Sequence, residues 1–331
     1  MTARADNAIT GMPAVLVVIV NYNGGEMLAR AVAEIKRQTF TDYRLIVVDN
    51  ARSDDSIARM QAENSDVEIL PAGANIGFAA ANNLAVQRYP GSRWIALLNP
   101  DAFPEPGWLQ ALVDAARDRS DVAAFASRTI DASDAGLLDG AGDACHISGR
   151  YWRRGHRCSA SRHYLQQEEI FSACAAAALY SRLAWEEVGG LDEDFFCYGE
   201  DVDFGFRLQL AGHKCLYVAE AIAHHYGSAV TGERSGFSTY HGQRNLVWVF
   251  VKNMPGFLFW MLLPYHLLLN LGAIPGCALR GQASLVLKAK RDALRGLPIA
   301  WRKRQAIQKV RRAGVGTIWR MLQHGWPGPR C

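Results

Sequence analysis

Six carboxylates fall within twelve residues in the stretch Asp192-Glu193-Asp194-Phe195-Phe196-Cys197-Tyr198-Gly199-Glu200-Asp201-Val202-Asp203. Three aromatic side chains sit among them, so the stretch reads neither as a solvated acidic tail nor as a buried strand. The wall of a cleft accommodates both kinds of residue, and a carboxylate there can act as a general base. Asp201 stands at the start of an apolar helical pattern running from Val202 to Ala211, with Gly212 as a C-cap. Such an aspartate is commonly just an N-cap. The helix end would also hold the carboxylate ionised and fixed in direction, so capping and catalysis are compatible.

A second constellation is Asn99-Pro100-Asp101. Residues two apart in extended chain project to one face, and the proline stiffens the turn between them. A hard divalent cation takes oxygen ligands and often binds through one or two carboxylates plus substrate phosphates. The plainer alternative is an Asn-Pro turn closing a strand. His224 and His225 follow the strand pattern Leu216-Tyr217-Val218. A lone histidine is usually a satisfied polar residue, but two at a strand's exit can supply a metal ligand.

The elements that must position these groups alternate in the α/β manner. Val15 to Val20 is apolar on both faces and β-branched, as in a strand covered on both sides, and it ends at Asn21. Leu45 to Val48 ends at Asp49-Asn50, Val67 to Leu70 leads to Asn75-Ile76-Gly77-Phe78, and Trp94 to Leu98 stops at Asn99. Helical spacing fills residues 26–37, the stretch to about Asn64, and the Ala/Asn-rich segment after Phe78. Ligands bind at the carboxyl ends of strands in open α/β sheets, which makes this a nucleotide-type site. The first strand-to-helix turn, Asn21-Tyr22-Asn23-Gly24-Gly25, has no Gly-x-Gly-x-x-Gly and no phosphate-loop signature. Further on, Val122 to Ala126 and Phe171 to Tyr180 read as strands and Leu183 to Val188 as a short helix. Residues 131–169 lack periodicity but carry Arg150-Tyr151-Trp152-Arg153-Arg154-Gly155-His156-Arg157, a loop suited to an anionic or sugar-bearing ligand or to lipid phosphates.

A chain of 331 residues, half of them apolar, can bury one large α/β domain and carry an appendage. Its net charge of +4 hides an asymmetry: from Arg280 onward there are 13 Lys and Arg against Asp292 alone, leaving 23 basic and 31 acidic residues elsewhere. Seven scattered cysteines without a Cys-x-x-Cys pair argue against a disulfide framework and a zinc cluster, and lead to the expectation of a reduced, cytosolic setting. Residues 1–12 read as a disordered lead.

Taken together, Val-Asn-Tyr-Asn, Val-Val-Asp-Asn, Asn-Ile-Gly-Phe, Leu-Asn-Pro-Asp, Gly-Glu-Asp-Val-Asp and His-His, in that order over residues 13 to 250, resemble the bacterial family 2 glycosyltransferases of GT-A fold. The similarity is greatest to the rhamnosyltransferase-like branch that builds cell-surface polysaccharides. The resemblance implies a Rossmann-like, mostly parallel central sheet with flanking helices in a catalytic domain over 13–245. It also implies an inverting transfer of a sugar, L-rhamnose by branch, from a dTDP- or UDP-sugar to a lipid-linked or polysaccharide acceptor, with Mg²⁺ or Mn²⁺ as cofactor. Carried over residue by residue, Asp201 matches the catalytic base with Glu200 as its neighbour. Asn21 and Asp49 match the positions holding the base and ribose, with Asn23 nearby. Asn75 and Gly77 match the turn lining the nucleotide sugar. Asp101 matches the metal-binding acid, Asn99 replaces the first acid of the family's pair, and His224 matches the trailing metal histidine with His225 as the alternative. Phe195, Phe196 and Tyr198 would form a wall for the acceptor sugar, leaving Asp192, Glu193, Asp194 and Asp203 as caps and solvated turn residues. A non-catalytic sugar-nucleotide-binding scaffold is the rival reading; a nucleotidyltransferase would need a basic phosphate loop that the first turn lacks.

Residues 246–331 form the appendage. Met254 to Leu279 contains no charged residue and at 26 residues could span a bilayer, though Pro264 and Pro275 interrupt it. A single span would put the 13-cation tail outside, against the positive-inside tendency. A re-entrant or interfacial helical hairpin at the cytoplasmic face of the bacterial inner membrane, with the basic tail on anionic lipid, is the favoured expectation. No nucleic-acid partner is expected.

Overall fold

The structure, a computed structural model, describes residues 12–227, 232, 235–326, 328 and 331. Residues 1–11 of the expected disordered lead lie outside the described residues. The N-terminal half alternates as its periodicity requires: β1 (Val15–Asn21), α1 (Gly25–Lys36), β2 (Tyr43–Asp49), α2 (Ser56–Glu63), β3 (Glu68–Pro71), α3 (Gly77–Arg88), β4 (Trp94–Leu98), β5 (Ala102–Pro104) and α4 (Trp108–Asp118). β6 (Val122–Asp131), β7 (Leu138–Gly140), β8 (Asp143–Cys145), β9 (Tyr151–Arg153), β10 (Glu168–Ile170), β11 (Ala177–Ser181), α5 (Arg182–Val188), α6 (Glu200–Leu210) and β12 (Lys214–His225) complete the α/β body. Among the described residues five helices follow: α7 (Gly236–Asn253), α8 (Gly256–Ala278), α9 (Ala283–Arg295), α10 (Leu297–Lys309) and α11 (Val315–Met321).

The central sheet runs β10-β12-β6-β11-β4-β1-β2-β3. β4, β1, β2 and β3 are mutually parallel, while β11 is antiparallel to both β4 and β6. The sheet is therefore mixed, parallel on the side that carries the first three motifs. Side-chain alternation explains why β1 is apolar throughout: Val15, Val17 and Ile19 enter one core and Leu16, Val18 and Val20 the other, one on each face of the sheet. The register pairs Asn21 with Asp49, so both motifs end at one edge.

The region without periodicity, 131–169, contains β7, β8, β9 and the start of β10, each three residues long. Strands that short carry too few alternations to register as a pattern. The small-residue run expected as a strand from Phe171 is strand only from Ala177. Cys158 is joined to Cys331 in a disulfide, a pairing that the scattered cysteine pattern did not lead one to expect. A separation of 173 residues leaves no spacing signal to read.

The C-terminal region departs further from expectation. α7 runs unbroken through the division placed at 245/246, and the apolar segment is one 23-residue helix rather than a hairpin. The basic tail folds into α9, α10 and α11, which pack against the body and α7. Trp248 Nε1 donates to Ala293 O at 3.0 Å, Arg304 Nη1 to Val251 O at 2.9 Å, and Arg312 Nε to Ala211 O at 2.6 Å.

The acidic stretch fastens these helices to the body. Asp203 is fully buried and accepts from Arg207 Nε at 2.8 Å, Lys252 Nζ at 2.7 Å and Asn253 Nδ2 at 2.7 Å. Asp192 takes Lys252 and, at 2.5 Å, Lys303. Asp192 and Asp203 are thus structural, as expected, but buried in ion pairs rather than solvated. Removing one member of a buried pair strands a charge. Lys252→Ala should lower unfolding free energy by about 3–5 kcal/mol in urea titration, against a few tenths for Arg37→Ala, whose pair with Glu34 is exposed.

Candidate active site

The stretch 192–201 is a short 3₁₀ turn, Glu193–Phe195, followed by three residues with positive φ: Phe196 at 65°, Tyr198 at 70° and Gly199 at 85°. Phe and Tyr adopt such a conformation only when surroundings enforce it. The enforcing groups come from two sides. Asn245 Nδ2 on α7 lies 3.0, 2.9 and 2.7 Å from the carbonyls of Phe195, Cys197 and Tyr198, and Arg244 Nη2 donates to Asp194 O and Phe195 O. On the other side Phe196 O accepts from Phe78 N at 2.7 Å, at the start of α3. A Cβ on Gly77 would lie 2.6 Å from Phe196, so glycine is required for that approach.

This loop delivers Glu200 and Asp201 to the first turn of α6, whose N-cap is Gly199 rather than Asp201. Asp201 Oδ1 accepts from its neighbour Val202 N at 2.8 Å and Oδ2 from Ala175 N at 3.2 Å, with the Cys174 thiol also against it. Burial pushes both carboxyls up, Glu200 to about 8 with the Asp201 charge adding to the effect. The two differ in support: Asp201 receives backbone N–H groups, whereas Glu200 Oε2 is buried without a partner. The proton therefore belongs on Glu200 and the charge on Asp201.

The Asn-Pro-Asp turn sits at the end of β4 beside β11. Asn99 N donates to Ala176 O at 2.8 Å, one residue from the Ala175 N–H that holds Asp201. Two successive small residues thus bring the turn and the carboxylate together. Asp101 is buried, and His225 Nε2 lies 3.3 Å from its Oδ1. Asn99 Nδ2 lies 3.4 Å from the same imidazole nitrogen. His225 Nδ1 donates to Asp139 Oδ2 at 2.8 Å, and Asp139 is also paired with Arg153. His224 points elsewhere, to Glu105 at 3.1 Å. A carboxylate, an amide oxygen within side-chain rotation and an imidazole with its far nitrogen anchored by a second carboxylate suit a divalent cation.

Burial alone would raise Asp139, but Arg153 and His225 outweigh it and hold the carboxyl far below its ordinary range. Burial alone would lower His225, but Asp139 and then Asp101 raise it to about 9. Without a cation the pair is therefore an ion pair, and a bound cation would displace the proton from Nε2.

The remaining expected residues lie along the edge formed by β1, β2 and α3. Asn21 is fully buried, its Nδ2 donating to Ser56 Oγ at 2.9 Å and its Oδ1 accepting from Gly24 N at 3.2 Å, so it shapes the turn. Asn23 Oδ1 accepts from Ser53 N at 2.7 Å, and Asp49 is paired with Arg52. Asn75 Oδ1 accepts from Asn50 Nδ2 and Gly77 N, both at 3.1 Å, clamping the loop before α3. Phe195 is fully buried against Trp248 and cannot be a wall for a sugar; Phe196, stacked on His241, and Tyr198 are partly exposed.

Sequence reasoning missed Asp139, Asp143, Cys174, Tyr151 and Asn245. Asp143, Cys174 and Asp201 present ligand atoms within 4.8 Å of one another. Asp143 Oδ2 and Tyr151 Oη are buried without partners, and a Cβ on Gly199 would lie 2.4 Å from Tyr151 Oη. Only Arg153 and Tyr151 had a signal, inside the 150–157 cluster, and there Arg153 serves Asp139 rather than a ligand.

Residues 16–189 match the family model described as glycosyl transferase family 2. The N-acetylglucosaminyl-diphospho-decaprenol L-rhamnosyltransferase of Mycobacterium tuberculosis is 30% identical over 237 residues, 65% of this chain and 77% of that protein. Two solved structures share the fold. The Pyrobaculum calidifontis mannosyltransferase in complex with GDP-Man and Mn²⁺ has TM-score 0.53 at 17% identity, covering 91% of this chain and 85% of its own. GalNAc-T7 with UDP, GalNAc and Mn²⁺ has TM-score 0.56 at 16% identity, covering 72% of this chain and 48% of its own.

His225, raised above its ordinary 6.5, contributes stability that is complete below about pH 6.5 and is lost as pH rises through about 9. In metal-free protein, Asp139→Asn should bring the His225 titration, followed by NMR, back toward 6.5 and flatten the fall in stability over that window.

Proposed function

Because this chain belongs to glycosyl transferase family 2, we propose that it is an inverting, metal-dependent enzyme. It transfers a sugar, L-rhamnose, from a dTDP- or UDP-linked donor to a lipid-linked or polysaccharide acceptor in cell-surface glycan synthesis. The observation that carries the reading is the pairing of two differently supported carboxyls, Asp201 and Glu200, with the Asn99-Asp101-His225 group across residues 175–176. The sugar and acceptor follow the mycobacterial relative, an L-rhamnosyltransferase acting on a decaprenol-linked glycan, and a nucleoside-diphosphate donor agrees with the ligands of the structural neighbours.

Asp201 takes the proton from the acceptor hydroxyl as it attacks the anomeric carbon. Its backbone N–H donors and the α6 N-terminus keep it ionised and aimed, and Glu200, carrying its own proton, adds no competing charge. One carboxylate acting as base and none as nucleophile corresponds to a single displacement. Asp101, His225 and Asn99 are the residues that would hold Mg²⁺ or Mn²⁺, which when bound neutralises charge on the leaving diphosphate. Asp139 fixes the His225 ring so that Nε2 faces Asp101. Asp49, Asn75 and Gly77 line the edge where the nucleoside rests, with Asn21 and Asn23 maintaining the turn beneath it. The acceptor side is Phe196 and Tyr198. We place the enzyme at the cytoplasmic face of the bacterial inner membrane, where nucleotide sugars and lipid-linked acceptors meet.

Asp201→Asn should leave donor affinity intact and reduce turnover by orders of magnitude; near-normal turnover removes it as the base. A panel of dTDP-, UDP- and GDP-sugars, read by protection against thermal unfolding, identifies the donor. The protection should require Mn²⁺ or Mg²⁺ and be lost in Asp101→Ala. Protection that is equal without metal, or equal in that variant, contradicts the ligand set.

A further inference from the structure

α8 is long and apolar enough to cross a bilayer, yet its burial is one-sided. Leu258, Phe259, Leu262, His266 and Cys277 are buried against the body. Phe257 at 70%, Trp260 at 63%, Leu268 at 68% and Leu271 at 63% exposure form a stripe at helical spacing, with Met261 and Tyr265 between them. Trp301 of α10 extends it, its ring 5.6 Å from Phe259 and 6.5 Å from Trp260. A contiguous apolar surface of this extent marks an interaction face.

The middle of the helix excludes a span. His266 Nδ1 lies 2.8 Å from Ser148 O, its ring stacks on Phe250 at 4.1 Å, and a Cβ on Gly149 would lie within 3 Å of both rings. Ser148 and Gly149 form the tip of the β8–β9 hairpin. Sinking the centre of α8 into hydrocarbon would carry this hairpin and α7 with it, polar backbone included. What the exposed stripe fits is the boundary layer of a bilayer, apolar below and charged above. The flanking groups agree: Arg280 at the C-terminal end of α8, and Arg302 and Lys309 on the exposed side of α10, all face solvent.

We infer that α8, with Trp301 of α10, is an in-plane docking surface for an anionic lipid bilayer, and that the β8–β9 hairpin sets the height of the reaction centre above it. The tip of the hairpin rests on α8, and Asp143 at its base lies beside Asp201. Ser148 lies five chain steps beyond Asp143, no more than about 17 Å of extended chain. That height suits an acceptor whose hydroxyl is carried on a short polar stalk from a lipid. The docking itself does not depend on the transferase reading; only the identity of what is reached rests on it.

Flotation of the full-length protein with vesicles of phosphatidylcholine and phosphatidylglycerol, without substrates, tests the surface. The wild type should float with these vesicles, and about tenfold less should float with phosphatidylcholine alone. An alkaline wash should release it. Trp260→Glu combined with Leu268→Glu should reduce flotation about tenfold, leaving thermal unfolding and turnover of a soluble acceptor analogue unchanged. Leu183→Glu, at an exposed apolar position on α5, should leave flotation unchanged. Retention through the alkaline wash means a span and overturns the inference, as does equal flotation of the double variant. A lipid-free dimer that the double variant dissociates assigns the face to a second copy instead. Absence of turnover with every donor would count against the transferase reading and leave the flotation result intact.

Discussion

The geometry of the candidate site depends on one convergence: the Asn245 amide facing the carbonyls of Phe195, Cys197 and Tyr198. Left to itself the chain from Phe196 to Gly199 would abandon three positive φ angles, two of them at aromatic residues, for which the intrinsic cost is of order 1–3 kcal/mol each. Asn245 offsets this by donating to the carbonyls of Cys197 and Tyr198 and, together with Arg244, to that of Phe195. The consequence is that Asp201 is aimed by a helix lying beyond the segment matched by the family model. Helix α7 is accordingly part of the scaffold that holds the loop leading to Asp201.

The same loop ties Asp201 to two neighbouring turns. Phe196 O receives the first N–H groups of α3, the helix that follows the Asn75-Gly77 turn, while the backbone around Ala175 and Ala176 links Asp201 to Asn99. Movement at the Asn75-Gly77 turn must therefore be felt at Asp201. Asp139 plays the corresponding part beside Asp101, holding His225 from behind while Arg153 balances its charge. Such outer partners orient a ligand without touching the cation.

Much of the site was legible because its chemistry is local in sequence. Asp101 and Asp201 sit where a strand ends and a helix starts, and those boundaries follow from hydrophobic periodicity and from the residue types that favour element ends. Gly77 was legible as a motif residue, but its reason, the approach of Phe196, was not. The choice between His224 and His225 was left open by two adjacent residues of one type. In a strand they face opposite sides, and only the pairing with β5 and β6 puts His225 inward toward Asp101 and Asp139. Phe195 failed as a wall residue for a similar reason: the 3₁₀ turn rotates it into the core beneath α7, and that rotation is dictated by carbonyl partners fifty residues away.

By itself the sequence determined the α/β alternation, the strand ends that carry polar residues, the acidic helix entry and an uncharged segment of bilayer length, since each rests on near-neighbour periodicity and propensity. Tertiary structure decided which strands turn antiparallel, which carboxyls are buried in ion pairs with Lys252 and Arg207, and which imidazole meets Asp101. It also decided that the apolar segment is a single helix exposed along one side. These depend on which surfaces meet across long separations. One-dimensional pattern carries no record of that, because burial, charge pairing and backbone strain are set by partners that only folding supplies.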